Sequence, residues 1–173
     1  VPVYDYVLVS EPLTDAQWSS VGWQGREGVS DSGNQFHYYR TTEDGRILWG
    51  GYDAVYHSGN GFGPQFENSR ESYERLAENF LQTFPQLRGL RFSHAWGGAI
   101  DTCSRFTAFW GTAHGGRTAY VTGYTGLGVG ASRFGAATML DLLDGRTTER
   151  TELAMVRTKP LPFPPEPVRG WGI

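Results

Sequence analysis

TAYVTGYTGLGVGASRFG, residues 118–135, is the stretch on which the reading of this chain turns. Arg117 to Gly123 mixes β-branched and aromatic residues in the manner of a strand. Gly123, Gly126, Gly128 and Gly130 then crowd into a turn, and a helix is predicted from about Gly128 to Asp144, with Gly145 as its stop. A glycine-rich turn lets a ligand approach the backbone, and a helix starting there presents unpaired N–H groups and a positive dipole end. Such an end suits an anionic or electron-rich partner. The competing reading is that the glycines only allow the helix to pack closely on its sheet. Gly126-x-Gly128-x-x-Ala131 also matches a dinucleotide fingerprint, with Asp144 or Glu149 about 20 residues further on. Only Glu152 to Val156 is left to serve as a following strand, so a complete nucleotide-binding half does not fit the remaining chain.

Working outward, Lys159 to Pro167 holds five prolines in nine residues and is expected to be extended surface. Upstream, Leu90–Gly98 and Arg105–Gly111 read as strands. Asn68 to Phe84 is the clearest helix. Tyr73, Leu76, Ala77, Phe80, Leu81 and Phe84 recur along one face, Asn68 with Glu71 gives a capping pattern, and Pro85 ends it. Gln35–Thr41 and Arg46–Tyr52 flank Thr42-Glu43-Asp44-Gly45, a hairpin signal. Gly22–Asn34 and Ser58–Pro64 are predicted loops. Thr14 with Gln17 forms a capping box before a short helix carrying Trp18, and Val1–Pro12 is a strand apolar on both faces. The expected fold is α+β, with a mixed, mainly antiparallel sheet and two main helices.

Composition narrows the function. With 15 basic and 18 acidic residues the net charge is −3, which argues against nucleic acid as a partner. Cys103 is the only cysteine, so no internal disulfide or cysteine zinc cluster forms. It reads as a small buried residue rather than a nucleophile. His37, His57, His94 and His114 lie 20 or more residues apart, and no metal site is expected. Nothing around Asp53 or Asp101 marks a catalytic carboxylate pair. No apolar run approaches the roughly 18–20 residues of a membrane span, and no signal peptide opens the chain, so a cytoplasmic location is expected. The start at Val1-Pro2-Val3, without methionine and inside a strand, fits a fragment of a longer enzyme.

Four landmarks stand in order along residues 35–145: Tyr38-Tyr39-Arg40 followed by Asp44-Gly45-Arg46-Ile47-Leu48-Trp49-Gly50-Gly51; the helix end Phe84-Pro85-Gln86-Leu87; Trp96-Gly97-Gly98; and Gly123-Tyr124-Thr125-Gly126-Leu127-Gly128-Val129. Together they resemble the C-terminal portion of the FAD-dependent D-amino-acid oxidase (DAO) family, the group of glycine oxidase, sarcosine oxidase and γ-glutamylputrescine oxidase. The resemblance implies a Rossmann-type FAD domain interleaved with a substrate domain. Residues 1–100 would be the substrate-binding domain, 101–150 the C-terminal strand and helix of the FAD-binding domain, and 151–173 a proline-rich tail.

By the same resemblance Gly123, Tyr124, Thr125, Gly126, Leu127, Gly128 and Val129 would face the flavin's pyrimidine side, where the helix start stabilises charge developing near N1 and O2. Tyr39, Arg40 and Trp96 are the substrate-side candidates: aromatic walls for an alkyl part, and a guanidinium for a carboxylate. Ordinary sheet packing is the alternative for Tyr39 and Trp96, and an ion pair is the alternative for Arg40. No catalytic nucleophile is expected, because the flavin carries the chemistry. The family's N-terminal Gly-x-Gly-x-x-Gly and its ribose-binding acid are absent from this sequence. Thr102-Cys103-Ser104-Arg105 replaces a Thr-Pro-Asp-like turn, which leaves Arg105 without an assigned role toward substrate. Cys103 lies downstream of the position used for covalent attachment in some relatives, so FAD is expected to be non-covalent. The implied function is oxidation of a C–N bond of a small amine or amino acid by hydride transfer to flavin. The chain would be inactive without its partner, the remainder of the FAD domain, whose absence leaves an exposed apolar face. Two readings stand beside it: a non-enzymatic α+β module that binds a ligand or protein, and a dinucleotide-binding protein using Gly126–Ala131.

Overall fold

The computed structural model describes residues 1–171 and divides into two compact units, one of Tyr4–Val55 and Gly61–Ala99, the other of Val1–Val3, Tyr56–Asn60 and the chain from Ile100. The strands β1 (Pro2–Ser10), β2 (Val29–Ser30), β3 (His37–Thr41), β4 (Ile47–Gly51) and β5 (Phe92–Asp101) form a sheet ordered β2-β3-β4-β1-β5, which belongs to the first unit except for Pro2 and Val3 of β1 and Ile100 and Asp101 of β5. The pairs β2/β3, β3/β4 and β4/β1 are antiparallel, with Tyr38 opposite Gly50 and Gly50 opposite Val7. Glu11 N donates to Arg91 O, and Val1 and Thr102 exchange backbone bonds, so β5 also runs antiparallel beside β1. Helices α1 (Asp15–Val21) and α2 (Arg70–Thr83) complete the unit.

Alternation along the strands sends Tyr4, Tyr6 and Leu8 of β1 and Ile47 and Trp49 of β4 to one side, where α2 presents Leu76 and Phe80. Each such side chain contributes about 1.5–3 kcal/mol on burial. The helical periodicity and the capping box at Thr14 and Gln17 hold in the structure. One cap differs: Ser69, not Asn68, opens α2, because its extended backbone lets Oγ accept from Ser72 N at 3.3 Å. The stretch expected as continuous loop from Gly22 to Asn34 contributes β2, since Val29 pairs with Tyr39 at the sheet edge.

The second unit holds the hairpin of β6 (Phe109–Ala113) and β7 (Thr118–Thr122), then α3 (Gly128–Leu143) and two short helices, α4 (Glu149–Glu152) and α5 (Ala154–Arg157). Its core is Ala108, Trp110 and Val156 with Val121, Tyr124, Phe134, Met139, Leu142 and Met155 around them. The predicted strand at Arg105 starts later, at Phe109. Phe106 N instead donates to Cys103 O in a turn, and the Arg105 guanidinium bonds the carbonyls of Thr107, Ala108, Met155 and Thr158. Glu152 to Val156 is helical rather than a strand, with Thr148 capping α4 and an extended Leu153 separating it from α5. On α3 the buried Asp141 accepts from Thr148 at 2.8 Å and from Arg150 at 2.6 Å, and pairs with Arg146 at 3.0 Å. The outer side of α3 keeps Val129, Leu140 and Leu143 exposed. The α+β class with a mainly antiparallel sheet and two main helices stands, and no helix among the described residues is long and apolar enough to cross a membrane.

Candidate functional site

The glycine-rich turn joins the end of β7 to the start of α3, and Asp101 at the end of β5 holds it. Asp101 Oδ2 accepts from the Thr122 hydroxyl and from Gly123 N at 2.5 Å, and its carbonyl accepts from Thr125 N at 2.9 Å. Cys103 N donates to Thr125 Oγ1 at 3.3 Å, and that hydroxyl donates to Gly123 O at 3.1 Å. Gly123 has φ +75°, and a Cβ there would lie 2.9 Å from Cys103 Cβ and 3.0 Å from the Phe109 ring. Both conformation and space therefore demand glycine at this position.

The glycines that follow are different. A Cβ at Gly130 would meet nothing within 4 Å, and at Gly126 and Gly128 it would come no nearer than 3.9 and 3.8 Å to any neighbour. Close packing thus accounts for Gly123 and Gly135, and left-handed backbone at φ +84° accounts for Gly126, but neither explains Gly128 or Gly130. Leu127 is the N-cap and makes no side-chain cap bond, and the first turn of α3 contains no acidic residue. The first N–H groups of the helix have no capping side chain, and Leu127 and Val129 beside them are exposed. Of the seven turn residues, Tyr124 points inward to the core beside Gly135, and burial pushes its phenol pKa up. Thr125 spends its hydroxyl inside the turn.

The substrate-side candidates are dispersed. Tyr39 packs its ring against Trp49 at 4.7 Å, Phe84 at 6.0 Å and Trp23 at 5.8 Å, on the helix side of the sheet. Arg40, next along β3, falls on the opposite side, exposed and with no hydrogen-bond or ion-pair partner among the described residues. Trp96 lies on β5 and is 45% exposed. The residue sharing Arg40's face is Tyr38, whose hydroxyl reaches Asp5. Desolvation lifts the Asp5 carboxyl above the usual carboxylate range, against hydrogen bonds from Tyr38 and the backbone, and also lifts the Tyr38 phenol. No role is read from sequence for Asp5 or Asp101, and Tyr38 stands there only within the Tyr38-Tyr39-Arg40 landmark. Strand alternation would have placed Tyr38 with Arg40, whereas nothing local marks Asp101.

Three further groups are committed elsewhere. His37 is buried between the rings of Trp49 and Tyr52, with Asp31 at 2.7 Å and Asn79 at 3.0 Å from its nitrogens. Arg105 is taken up by carbonyls, and Cys103 is buried against the turn. Among the described residues no group of three or more His, Cys, Asp or Glu could hold a metal ion.

Comparison with known proteins places this geometry in a family. The sequence pattern of the family described as FAD dependent oxidoreductase, DAO, matches residues 1–142. The probable oxidoreductase OrdL of Rhizobium meliloti strain 1021 is 27% identical over 138 residues, covering 80% of this chain and 30% of that protein. The gamma-glutamylputrescine oxidoreductase of Escherichia coli strain K12 is 32% identical over 142 residues, 79% of this chain and 29% of its own length. The chain thus spans less than a third of these two relatives. Among solved structures, iminodiacetate oxidase from Chelativorans sp. BNC1 superposes with a TM-score of 0.68 at 15% identity, over 92% of this chain and 39% of that one. Glycine oxidase from Geobacillus kaustophilus gives 0.67 at 15% identity over the same shares. At such identity these two speak for the fold alone. The order of the landmarks, the mainly antiparallel sheet and the match over residues 1–142 lead to one conclusion: this chain belongs to the DAO family of FAD-dependent oxidoreductases, whose cofactor is FAD.

Proposed function

We propose that this chain contributes the flavin-facing turn and part of the substrate-binding sheet to an enzyme that oxidises a C–N bond of an amine or amino acid. The observation that carries the reading is the open start of α3. Gly126, Gly128 and Gly130 leave bare backbone with no neighbour closer than 3.8 Å to any added Cβ, and the helix end there is uncapped. That space suits a flat ring, and the helix N–H groups with the dipole behind them suit negative charge on it. When bound, FAD supplies the acceptor for a hydride from the substrate carbon.

In this reading residues 1–100 serve the substrate, 101–150 serve the cofactor, and the proline-rich tail wraps the surface. Arg40, unpartnered and exposed, binds a substrate carboxylate, and Trp96 offers an apolar wall. Tyr39, inside the aromatic core, keeps the strand that carries Arg40 in place. FAD is held without a covalent bond. The sequence lacks the family's N-terminal pyrophosphate-binding glycines, so the 173-residue chain by itself is proposed to be inactive. The test uses the native-length protein. Incubated with FAD and desalted, it is expected to keep a visible flavin spectrum that bleaches anaerobically with an amine or amino acid. A native-length protein that retains no flavin overturns the reading.

A further inference from the structure

We infer that Asp101 is the positioning residue of the glycine-rich turn, fixing the backbone so that the open start of α3 is presented to the cofactor. The inference rests on the flavin-facing reading of that turn.

Three residues within four adopt left-handed backbone: Gly123 at φ +75°, Thr125 at +50° and Gly126 at +84°. Glycine visits this region freely, but Thr125 does so only against a steric penalty. Something must hold it there, and Asp101 supplies bonds on both sides of Gly123. Its Oδ2 takes the Thr122 hydroxyl and Gly123 N–H, and its carbonyl takes Thr125 N–H at 2.9 Å. Cys103 adds a bond to the Thr125 hydroxyl. No cation pairs with the Asp101 carboxylate among the described residues, so its Oδ2 serves the turn rather than a salt bridge. The reach runs across 21 and 22 residues of sequence, from the end of β5 to the end of β7. A side chain on one strand thus sets the exit angle of the next element.

The role is one of acceptor geometry, so an amide oxygen can take it over and a methyl group cannot. In the native-length protein without cofactor, Asp101→Ala should speed amide hydrogen exchange in the peptide covering residues 118–130 about tenfold, one ordinary hydrogen bond's worth. With FAD, the same variant should raise the flavin Kd by a similar factor and shift the bound flavin's visible bands. Asp101→Asn should restore exchange, affinity and spectrum together. That rescue sets positioning apart from a need for charge. Unchanged exchange in Asp101→Ala overturns the proposal whatever the flavin does. Faster exchange with unaltered flavin affinity and spectrum also overturns it, and Gly128→Val then locates the fault. If Gly128→Val weakens flavin binding, only the role of Asp101 has failed. If it does not, the flavin-facing reading has failed as well. Should Asp101→Ala not fold, Thr122→Val removes one of the two donors to Oδ2. It must then produce a smaller rise in exchange over the same peptide, and no rise overturns the proposal.

Discussion

The Tyr38 hydroxyl donates to Asp5 Oδ2 at 2.7 Å, reaching from β3 to β1 across the intervening strand β4. The reach is possible because Gly50 sits beneath the ring: a Cβ there would lie 2.7 Å from its Cζ. Three residues on three strands therefore depend on one another, with the partly buried carboxylate at the end of the chain.

Tyr38→Phe leaves that carboxylate desolvated with one donor fewer. It is expected to cost about 1–3 kcal/mol near neutral pH, measured by urea unfolding. Burial already holds the Asp5 pKa above its unfolded value, so this group's stabilising share is full below the unfolded value and falls as pH rises through the raised one. The Tyr38 bond favours the charged form and works against that fall. The loss on Tyr38→Phe should therefore be larger at pH 7 than at pH 4, and an equal loss at both would contradict the assignment.

Asp141 has the opposite sign. Its bond from Thr148, then those from Arg150 and the charge of Arg146, hold its carboxyl below the usual range. The resulting stability is present above the unfolded value and lost as pH falls through the lowered one. Asp141→Asn should lower the Tm by several degrees at pH 7 and by much less at acid pH, as read by calorimetry across that range.

Two glycines seven residues apart should respond in opposite directions. Gly123→Ala meets left-handed backbone and the Cys103 side chain together, and is expected to cost about 1–3 kcal/mol. Gly130→Ala enters open space within a helix and should stabilise by up to about 1 kcal/mol. Chemical denaturation of both variants gives the comparison, and two losses of similar size would show that the space at Gly130 is not as open as it stands.

The two arginines considered for a substrate carboxylate should also separate. Arg40→Ala removes a guanidinium without a partner, so stability should hold. With an amino-acid substrate KM should rise about 10- to 100-fold, the range for a charged hydrogen bond. Arg105→Ala frees carbonyls of Ala108 and Met155 and should cost about 1.5–3 kcal/mol in urea unfolding. Should Arg40→Ala leave KM untouched for every amino acid oxidised, the substrate has no carboxylate in its reach.

Much of the fold could be read from local pattern. The periodicity from Tyr73 to Phe84 and the Asp44-Gly45 turn describe short-range physics, and both elements formed as that physics requires. The misses came where a single backbone position or a distant residue decides. Ser69 displaced Asn68 as a cap by a single position of backbone. The predicted strand fails at Arg105 and Phe106, which turn instead of extending because Arg105 finds carbonyls about 50 residues away, at Met155 and Thr158. In the candidate site the glycines announced the turn, and Gly123's constraint became visible only with Cys103 and Phe109 beside it. Asp101 could not be found, since its partners lie beyond the reach of any spacing rule. Tyr39 is the immediate neighbour of Arg40 in sequence, but strand alternation sets Tyr38, not Tyr39, on the face of Arg40.

The uncapped start of α3 has a consequence for motion. Up to Thr125 the turn is tied by Asp101 and Cys103, while from Leu127 onward a helix end with Gly128 and Gly130 in its first turn has no side chain to close it. Helix ends of this kind fray. Gly126 is thus the boundary between a stiff segment and a soft one. A ligand settling there orders the soft side only, and the entropy lost in doing so is confined to a single helical turn.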